Sequence, residues 1–272
     1  MDPFRNRVAV VTGGGSGIGA ALAQAFAARG ARIVLADLDP EAMARTEAVL
    51  RAQGAEVLSV PTDVAKRSDV ERLADTAVRR FGAVHLVCNN AGIATFGEMA
   101  KAPHEDWEFT MGVNFWGVVH GVEAFVPRMI EQGQGGHVIN TASMAGLVGM
   151  RWLGIYCASK FAVVGLSEAL HRELEPHDIG VSVLCPMIVA TNINENSVRM
   201  RPAHLQPKTP LPPLPPAGSM QGGTVKAEDV AARVVRAIEG KRLYVLTHPE
   251  QREILRRRAG RLDQVFEEWD QT

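Results

Sequence analysis

Thr12-Gly13-Gly14-Gly15-Ser16-Gly17-Ile18-Gly19 stands between a short apolar run, Val8-Ala9-Val10-Val11, and a segment of helical periodicity from Ile18 to Arg29, where Leu22 and Phe26 lie four apart. Glycines at this spacing permit a tight turn and let backbone amides approach a pyrophosphate at the helix N-terminus. A glycine-rich stretch alone is weak evidence. With a strand before it and a helix after it, the stretch reads as a phosphate cradle, and Gly13, Gly15, Ser16, Gly17, Ile18 and Gly19 become candidate ligand-binding residues.

The same alternation continues outward. Ile33-Val34-Leu35-Ala36 is a second buried strand, followed by a helix from Pro40 to Gln53 that ends at Gly54. Glu56 to Val60, a helix from Ser68 to Phe81 and a strand from Val84 to Cys88 complete a βαβαβαβ half. The second half predicts one long helix from about Trp107 to Gln132, a strand at Val138–Thr141, a helix at Ile155–Leu174 and a strand at Val181–Leu184. A helix at Ala227–Glu239, a strand at Leu243–Leu246 and a terminal helix from Pro249 to Trp269 follow. The expected fold is α/β: a doubly wound, Rossmann-like arrangement with a seven-stranded parallel sheet and helices on both faces. Residues 1–272 read as a single catalytic domain with a C-terminal helical tail at about 249–272.

One segment breaks the pattern. Seven prolines between Arg201 and Ala217 rule out regular helix or sheet there. The stretch is a lid or a connector; the interspersed Met200, Leu205, Leu211, Leu214 and Met220 favour a substrate lid over about 192–223.

Bulk properties narrow the function classes. A chain of 272 residues with a formal net charge of −1 offers no basic field for nucleic acid or an anionic membrane. The run Arg256-Arg257-Arg258 with Arg261, soon followed by Glu267, Glu268 and Asp270, reads as a solvated helix face. Cys88, Cys157 and Cys185 form no CxxC and suit reduced structural thiols. No apolar stretch approaches a membrane span, and the chain reaches an apolar strand at once without a cleavage pattern, so a cytoplasmic protein is expected.

Carboxylates and amides stand at the strand ends. Asp37 ends the second strand about twenty residues after the glycines, where a carboxylate accepts from adenosine ribose hydroxyls and repels a 2′-phosphate. Leu38 and Asp39 bring no cation, so NAD is expected over NADP. Asp63 and Val64 follow the third strand, at an adenine-binding position; a helix-capping aspartate is the equal alternative for Asp63. Asn90, Ala91 and Gly92 end the fourth strand on the same sheet edge.

Tyr156 and Lys160 stand four apart on a predicted helix and share a face. A phenol titrates near pH 10, too high for neutral proton transfer; a nearby ammonium lowers that value and makes tyrosine a usable acid or base. Such a pair alone is common on helices. Together with Thr12 to Gly19, Asn89 to Gly92, Asn114, Ser143 and Tyr156-Cys157-Ala158-Ser159-Lys160, it resembles the short-chain dehydrogenase/reductase family from about Arg7 to Thr247.

The resemblance implies roles. Ser143 would hydrogen-bond the substrate oxygen, Tyr156 would exchange the proton, and Lys160 would bind the nicotinamide ribose and tune Tyr156. Asn114 would hold a relay water. Pro186, Ile188 and Thr191 would lie on the cofactor-contacting stretch, Thr191 at the carboxamide. The chemistry needs no metal, and no clustered His/Cys set stands in the chain; His85, His120, His137 and His171 read as scattered core or surface residues. The family usually has glycine after Pro186, where this chain has Met187, a side chain expected beside the nicotinamide. Residues Met111 to Met129, Thr191 to Pro202 and Leu243 to Glu253 look similar to a bacterial branch acting on bulky secondary alcohols, including aryl-alcohol dehydrogenases of lignin-fragment catabolism. The implied protein is an NAD-dependent oxidoreductase for a hydrophobic alcohol or ketone. The helices carrying Phe115, Val119, Val122 and Phe125, and Phe161, Val164, Leu166 and Leu170, are apolar on more than one face, which predicts a homodimer or homotetramer. An NADPH-dependent carbonyl reductase and a catalytically silent dinucleotide sensor are the alternatives.

Overall fold

The computed structural model describes residues 2–206 and 222–269. Seven strands form one parallel sheet in the order β3-β2-β1-β4-β5-β6-β7. They are β1 (Val8–Thr12), β2 (Arg32–Asp37), β3 (Val57–Pro61), β4 (Leu86–Asn89), β5 (Gly136–Thr141), β6 (Ile179–Cys185) and β7 (Tyr244–Leu246). Nearly every residue of β1, β4, β5 and β6 is buried, as continuous apolar runs covered on both faces require. Helices α1 (Gly17–Ala27) and α8 (Ala227–Glu239) cover one face through Leu22, Phe26, Val230 and Val234. The other face is covered by α3 (Arg67–Phe81), α5 (Gly117–Gln132) and α6 (Gly154–Leu174) through Leu73, Phe125, Met129 and Leu170. Helix α2 (Pro40–Ala52) opens on Asp39, whose side chain accepts from the amides of Glu41 and Ala42 at 3.0 Å each.

The chain leaves β3 at one edge and re-enters at β4 on the far side of β1. The loops after β1 and β4 therefore diverge and open a crevice at their carboxyl ends, the place where open α/β sheets bind ligands.

Three local features depart from the sequence expectation. The single helix from Trp107 to Gln132 is instead α4 (His104–Met111), a π-helical turn at Gly112–Trp116 and α5. Asn114 is the buried residue of that turn. Its side chain is drawn to the backbone of Ile93, and a Cβ at Gly117 would sit 2.9 Å from Val64 Cγ2, so the wider turn lets the helix pass close to both. Strand β4 starts at Leu86, two residues late, because the Gln132 side chain takes both the amide and the carbonyl of Val84. A short helix not expected from sequence, α7 (Ile193–Arg199), follows β6. The terminal segment is a 3₁₀ turn at Pro249–Gln251 leading into α9 (Arg252–Trp269). Residues Leu211, Leu214 and Met220, and most of the prolines assigned to a lid, lie outside the described residues. Among the described residues no helix is long and apolar enough to cross a membrane.

Candidate active site

The glycine-rich turn is built by steric exclusion. Gly13 and Gly17 hold φ of +64° and +52°, and a Cβ at Gly19 would lie 2.1 Å from the Gly13 carbonyl oxygen. Helix α1 thus starts directly on the turn, with its first amides directed to the crevice. Ser16, its N-cap residue, makes no side-chain cap to the helix and lines the crevice instead. Thr12 ties this turn to the next: its hydroxyl donates to Cys88 O at 3.2 Å and accepts from the amides of Asn90 and Ala91 at 2.9 and 3.1 Å. Asn90 Nδ2 returns a bond to Thr12 O at 3.0 Å.

A cleft of about 710 Å³ runs along this edge. Gly13, Ser16, Gly17, Ile18, Asp37, Asp63, Val64, Asn90, Ala91 and Gly92 line one part of it; Ser143, Tyr156, Lys160, Pro186, Ile188 and Thr191 line the other. Three expected residues stand behind the wall. Gly15 donates its amide to Asp37 Oδ2 at 2.8 Å, Gly19 packs against Gly13, and Asn114 is wholly buried. The other Asp37 oxygen accepts from the Asp39 amide at 3.0 Å, so the carboxylate is fixed at the end of β2. Asp63 lines the cleft, but it does not cap the following helix: α3 starts at Arg67 with Lys66 as its N-cap residue, and the Asp63 carboxylate accepts from the Ala65 amide at 3.1 Å and pairs with Lys66 at 3.3 Å.

Tyr156 and Lys160 occupy one face of α6. The Lys160 ammonium donates to Thr141 O at 2.8 Å and lies 5.7 Å from the Tyr156 ring centre. Burial lowers its pKa to about 8. Enclosure pushes the Tyr156 phenol the other way, up to about 12, against a side-chain hydrogen bond with Ser143 that lowers it. In the protein alone burial sets the direction of the Tyr156 shift, and the Lys160 ammonium is turned to Thr141. Ser143 is held at the end of β5 by a bond to Pro186 O at 3.3 Å and one from the Ala145 amide at 3.2 Å. Asn114 accepts from Ile93 N at 2.9 Å and donates to Ile93 O and Ser159 Oγ at 3.0 and 3.1 Å. A Cβ on Gly92 would lie 3.3 Å from Asn114 Oδ1 and 3.5 Å from Lys160 Nζ, so only glycine leaves that gap open.

The far end of the cleft is apolar, with Phe96, Phe109, Met150, Leu153, Met187 and Leu205 on its walls. The segment after β6 crosses it and is pinned down. Ser197 Oγ accepts from Ala94 N at 2.8 Å, and Arg201 pairs with Asp106 at 2.6 Å in a buried contact. Arg199 reaches Asp39 at 2.6 Å. The sequence neighbours of Asp37 carry no cation, yet the fold brings Arg199 there from 160 positions away, and Arg45 also lines the cleft. The Cβ that Gly17 lacks would meet Thr191 Cγ2 at 2.9 Å, so this segment closes against the glycine turn itself. Sequence reasoning missed these clamps and the roles of Thr12 and Thr141. The three cysteines are free and buried. His85 and His137 are core residues. Among the described residues no group of three or more His, Cys, Asp or Glu side chains is placed to hold a metal.

The model of the short chain dehydrogenase family matches residues 7–202, the span that holds the glycine turn, Asn114, Ser143, Tyr156 and Lys160. This chain belongs to the short-chain dehydrogenase/reductase family. A family member from Burkholderia phymatum, solved in complex with NAD, superposes with a TM-score of 0.90 at 41% identity, covering 97% of this chain and 96% of that one. The C alpha-dehydrogenase of Sphingobium sp. strain SYK-6 is 35% identical over 93% of this chain and 84% of its own length. The 1-deoxy-11-beta-hydroxypentalenate dehydrogenase of Streptomyces exfoliatus is 38% identical over 93% and 87%. Short-chain dehydrogenases bind nicotinamide dinucleotides, and the cradle here fits such a group: a Cβ on Gly13 or Gly19 would intrude on the turn, and the cleft runs from Asp37 to Tyr156.

Proposed function

We propose that the protein interconverts a bulky, hydrophobic secondary alcohol and its ketone, using NAD(H). The observation that carries this reading is the siting of Tyr156 and Ser143 in a cleft that also holds the fixed Asp37 carboxylate. When bound, the nicotinamide supplies or accepts the hydride. Ser143 holds the substrate oxygen, and Tyr156 gives it a proton in reduction and takes one in oxidation. Lys160, charged at neutral pH, favours phenolate once it turns from Thr141 toward the bound ribose and the ring. Asn114 braces the Ile93 backbone and the start of the relay behind Lys160. The apolar walls and Met187 support a large, greasy substrate, and 192–206 forms the described part of its cover. Both named relatives are dehydrogenases, in keeping with this.

Asp37, bonded to Gly15 and placed for ribose hydroxyls, supports NAD. NADPH-dependent reduction has one observation in its favour, the presence of Arg45 and Arg199 on the cleft; Asp39 already engages Arg199. A silent sensor is the weaker reading, since Ser143, Tyr156 and Lys160 all line the cleft. A panel of alcohols with NAD and NADP, followed by NADH absorbance, tests all three: no turnover with either cofactor leaves only the sensor.

The same reading includes one catalytic domain and a homodimer or homotetramer in the cytoplasm. Phe115 on the π-helical turn, Val119 and Val122 on α5, and Phe161 and Leu166 on α6 stay half-buried, whereas Phe125, Val164 and Leu170 are in the chain's own core. The half-buried set is the surface offered to a second copy.

A further inference from the structure

Helix α9 departs from every other long helix in the fold: none of its residues is buried. Its first turns touch the body, with Arg258 5.5 Å over the Phe161 ring, and the rest extends past it. Leu255, Ala259, Leu262, Phe266 and Trp269 alternate four and three residues apart, the spacing of a coiled-coil seam. Leu262 is 54% exposed, Phe266 64% and Trp269 71%. Eighteen residues of helix span about 27 Å.

The charges on α9 are sorted along its length. Its first ten residues carry Arg252, Arg256, Arg257, Arg258 and Arg261 against one acid, Glu253. Its last eight carry Asp263, Glu267 and Glu268 and no base. This order opposes the helix macrodipole, which favours acids at the N-terminus and bases at the C-terminus. Intrahelical pairing accounts for little of it; Arg257 reaches Glu253 at 3.2 Å, and both lie in the basic half. A second α9 running antiparallel places each basic half beside an acidic half and brings the two seams together. A parallel copy sets like charges side by side.

We propose that α9 is an assembly surface for a second copy of this chain, joined as an antiparallel helix pair about a two-fold axis near Leu262. The contact is isologous, so each charge reversal acts twice. A membrane surface fits less well: the end of the helix richest in exposed aromatic side chains is the acidic end, which an anionic bilayer repels.

Two full-length variants test this without touching the catalytic residues or Arg258. Variant one is Arg256→Glu/Arg257→Glu/Arg261→Glu; variant two is Asp263→Arg/Glu267→Arg/Glu268→Arg. Each makes α9 nearly uniform in sign. Sedimentation velocity over the micromolar range is expected to show each variant at a lower assembly order than the native chain, or about tenfold weaker in association. An equimolar mixture is expected to restore the native assembly, because the two helices are then complementary along their whole length. Variants that assemble like the native chain overturn the proposal. So does a mixture that recovers nothing, or native protein that binds phosphatidylserine vesicles through α9 while its assembly is insensitive to both variants. The interface proposed on α5 and α6 is unaltered in all samples, so its presence or absence sets the baseline and not the difference.

Discussion

Lys160 spends its ammonium on the Thr141 carbonyl, at 2.8 Å, while standing 5.7 Å from the centre of the Tyr156 ring. The two residues are thus close enough to couple, and the coupling is not yet made. Burial holds Lys160 at about 8 and Tyr156 at about 12, so at neutral pH the protein alone keeps an ammonium beside a neutral phenol. In the proposed mechanism, a Lys160 ammonium released from Thr141 toward the ring would favour phenolate when the oxidised cofactor is bound.

The pH dependence follows with opposite signs in the two directions. Alcohol oxidation needs phenolate, so its kcat/KM rises with pH; ketone reduction needs phenol, so its kcat/KM falls at high pH. Lys160→Met removes the stabilising charge and moves the oxidation limb upward by roughly one pH unit or more. Rate profiles in both directions check this; a limb unmoved by the substitution separates Lys160 from Tyr156.

The Gly15 amide fixes the Asp37 carboxylate at the cleft, where we propose that it meets the ribose. Asp37→Ala is expected to erode the preference for NAD over NADP by about tenfold, the scale of one hydrogen bond to a charged group. Specificity constants with both cofactors decide it. Equal or better native constants with NADP reverse the assignment, and Arg45 and Arg199 then become the phosphate ligands.

Gly19 cannot accept a side chain, since its Cβ would fall 2.1 Å from the Gly13 carbonyl oxygen. Gly19→Ala is expected to shift α1 from the turn, costing about 1–3 kcal/mol of stability and weakening NADH binding. Gly223→Ala, where a Cβ meets nothing within 4 Å, is the control and is expected to change neither. Thermal melts and NADH titrations report both quantities.

Two buried histidines make the fold acid-sensitive. His137 sits at the start of β5 with Nε2 2.8 Å from Ser182 Oγ, whose proton goes to Arg242 O, so Nε2 carries hydrogen. Burial lowers its pKa to about 3; His85, which accepts from Val8 N at 3.1 Å, is also lowered by burial. Between pH 6.5 and about 3 the unfolded chain binds protons that the folded chain refuses, so stability is present above that window and lost as pH falls through it. The loss from His137 is on the order of a few kcal/mol. Melting temperature against pH, for the native chain and His137→Gln, checks the sign: the native chain is expected to lose stability more steeply below pH 6.5 than the variant.

The sheet was legible because its strands are apolar runs with glycines and acids at their carboxyl ends, and parallel β structure buried on both faces leaves that signature. The positions of Asp37, Asn90 and Ser143 at or just past strand ends were legible for the same reason, and the shared face of Tyr156 and Lys160 on α6 from their four-residue spacing. The π turn around Asn114 was not, because helical periodicity continues through it and only the tertiary pull of Ile93 reveals it. Nor were the clamps on the substrate end. Arg199–Asp39 and Arg201–Asp106 join residues about a hundred or more positions apart, and local sequence carries no trace of such pairs. The basic run of α9 was legible as a solvated face, and in the fold none of the helix's residues is buried; what its charge order would pair with lies outside the single chain.

Tyr156→Phe keeps the ring and its packing and removes only the hydroxyl that would carry the proton. Turnover is measured at saturating NADH with a hydrophobic ketone that the native enzyme reduces, alongside NADH binding. Turnover is expected to fall by ~10²–10⁴-fold with little change in NADH affinity. A variant that keeps more than about half of native turnover, against that scale, contradicts the assignment of Tyr156 as the proton carrier.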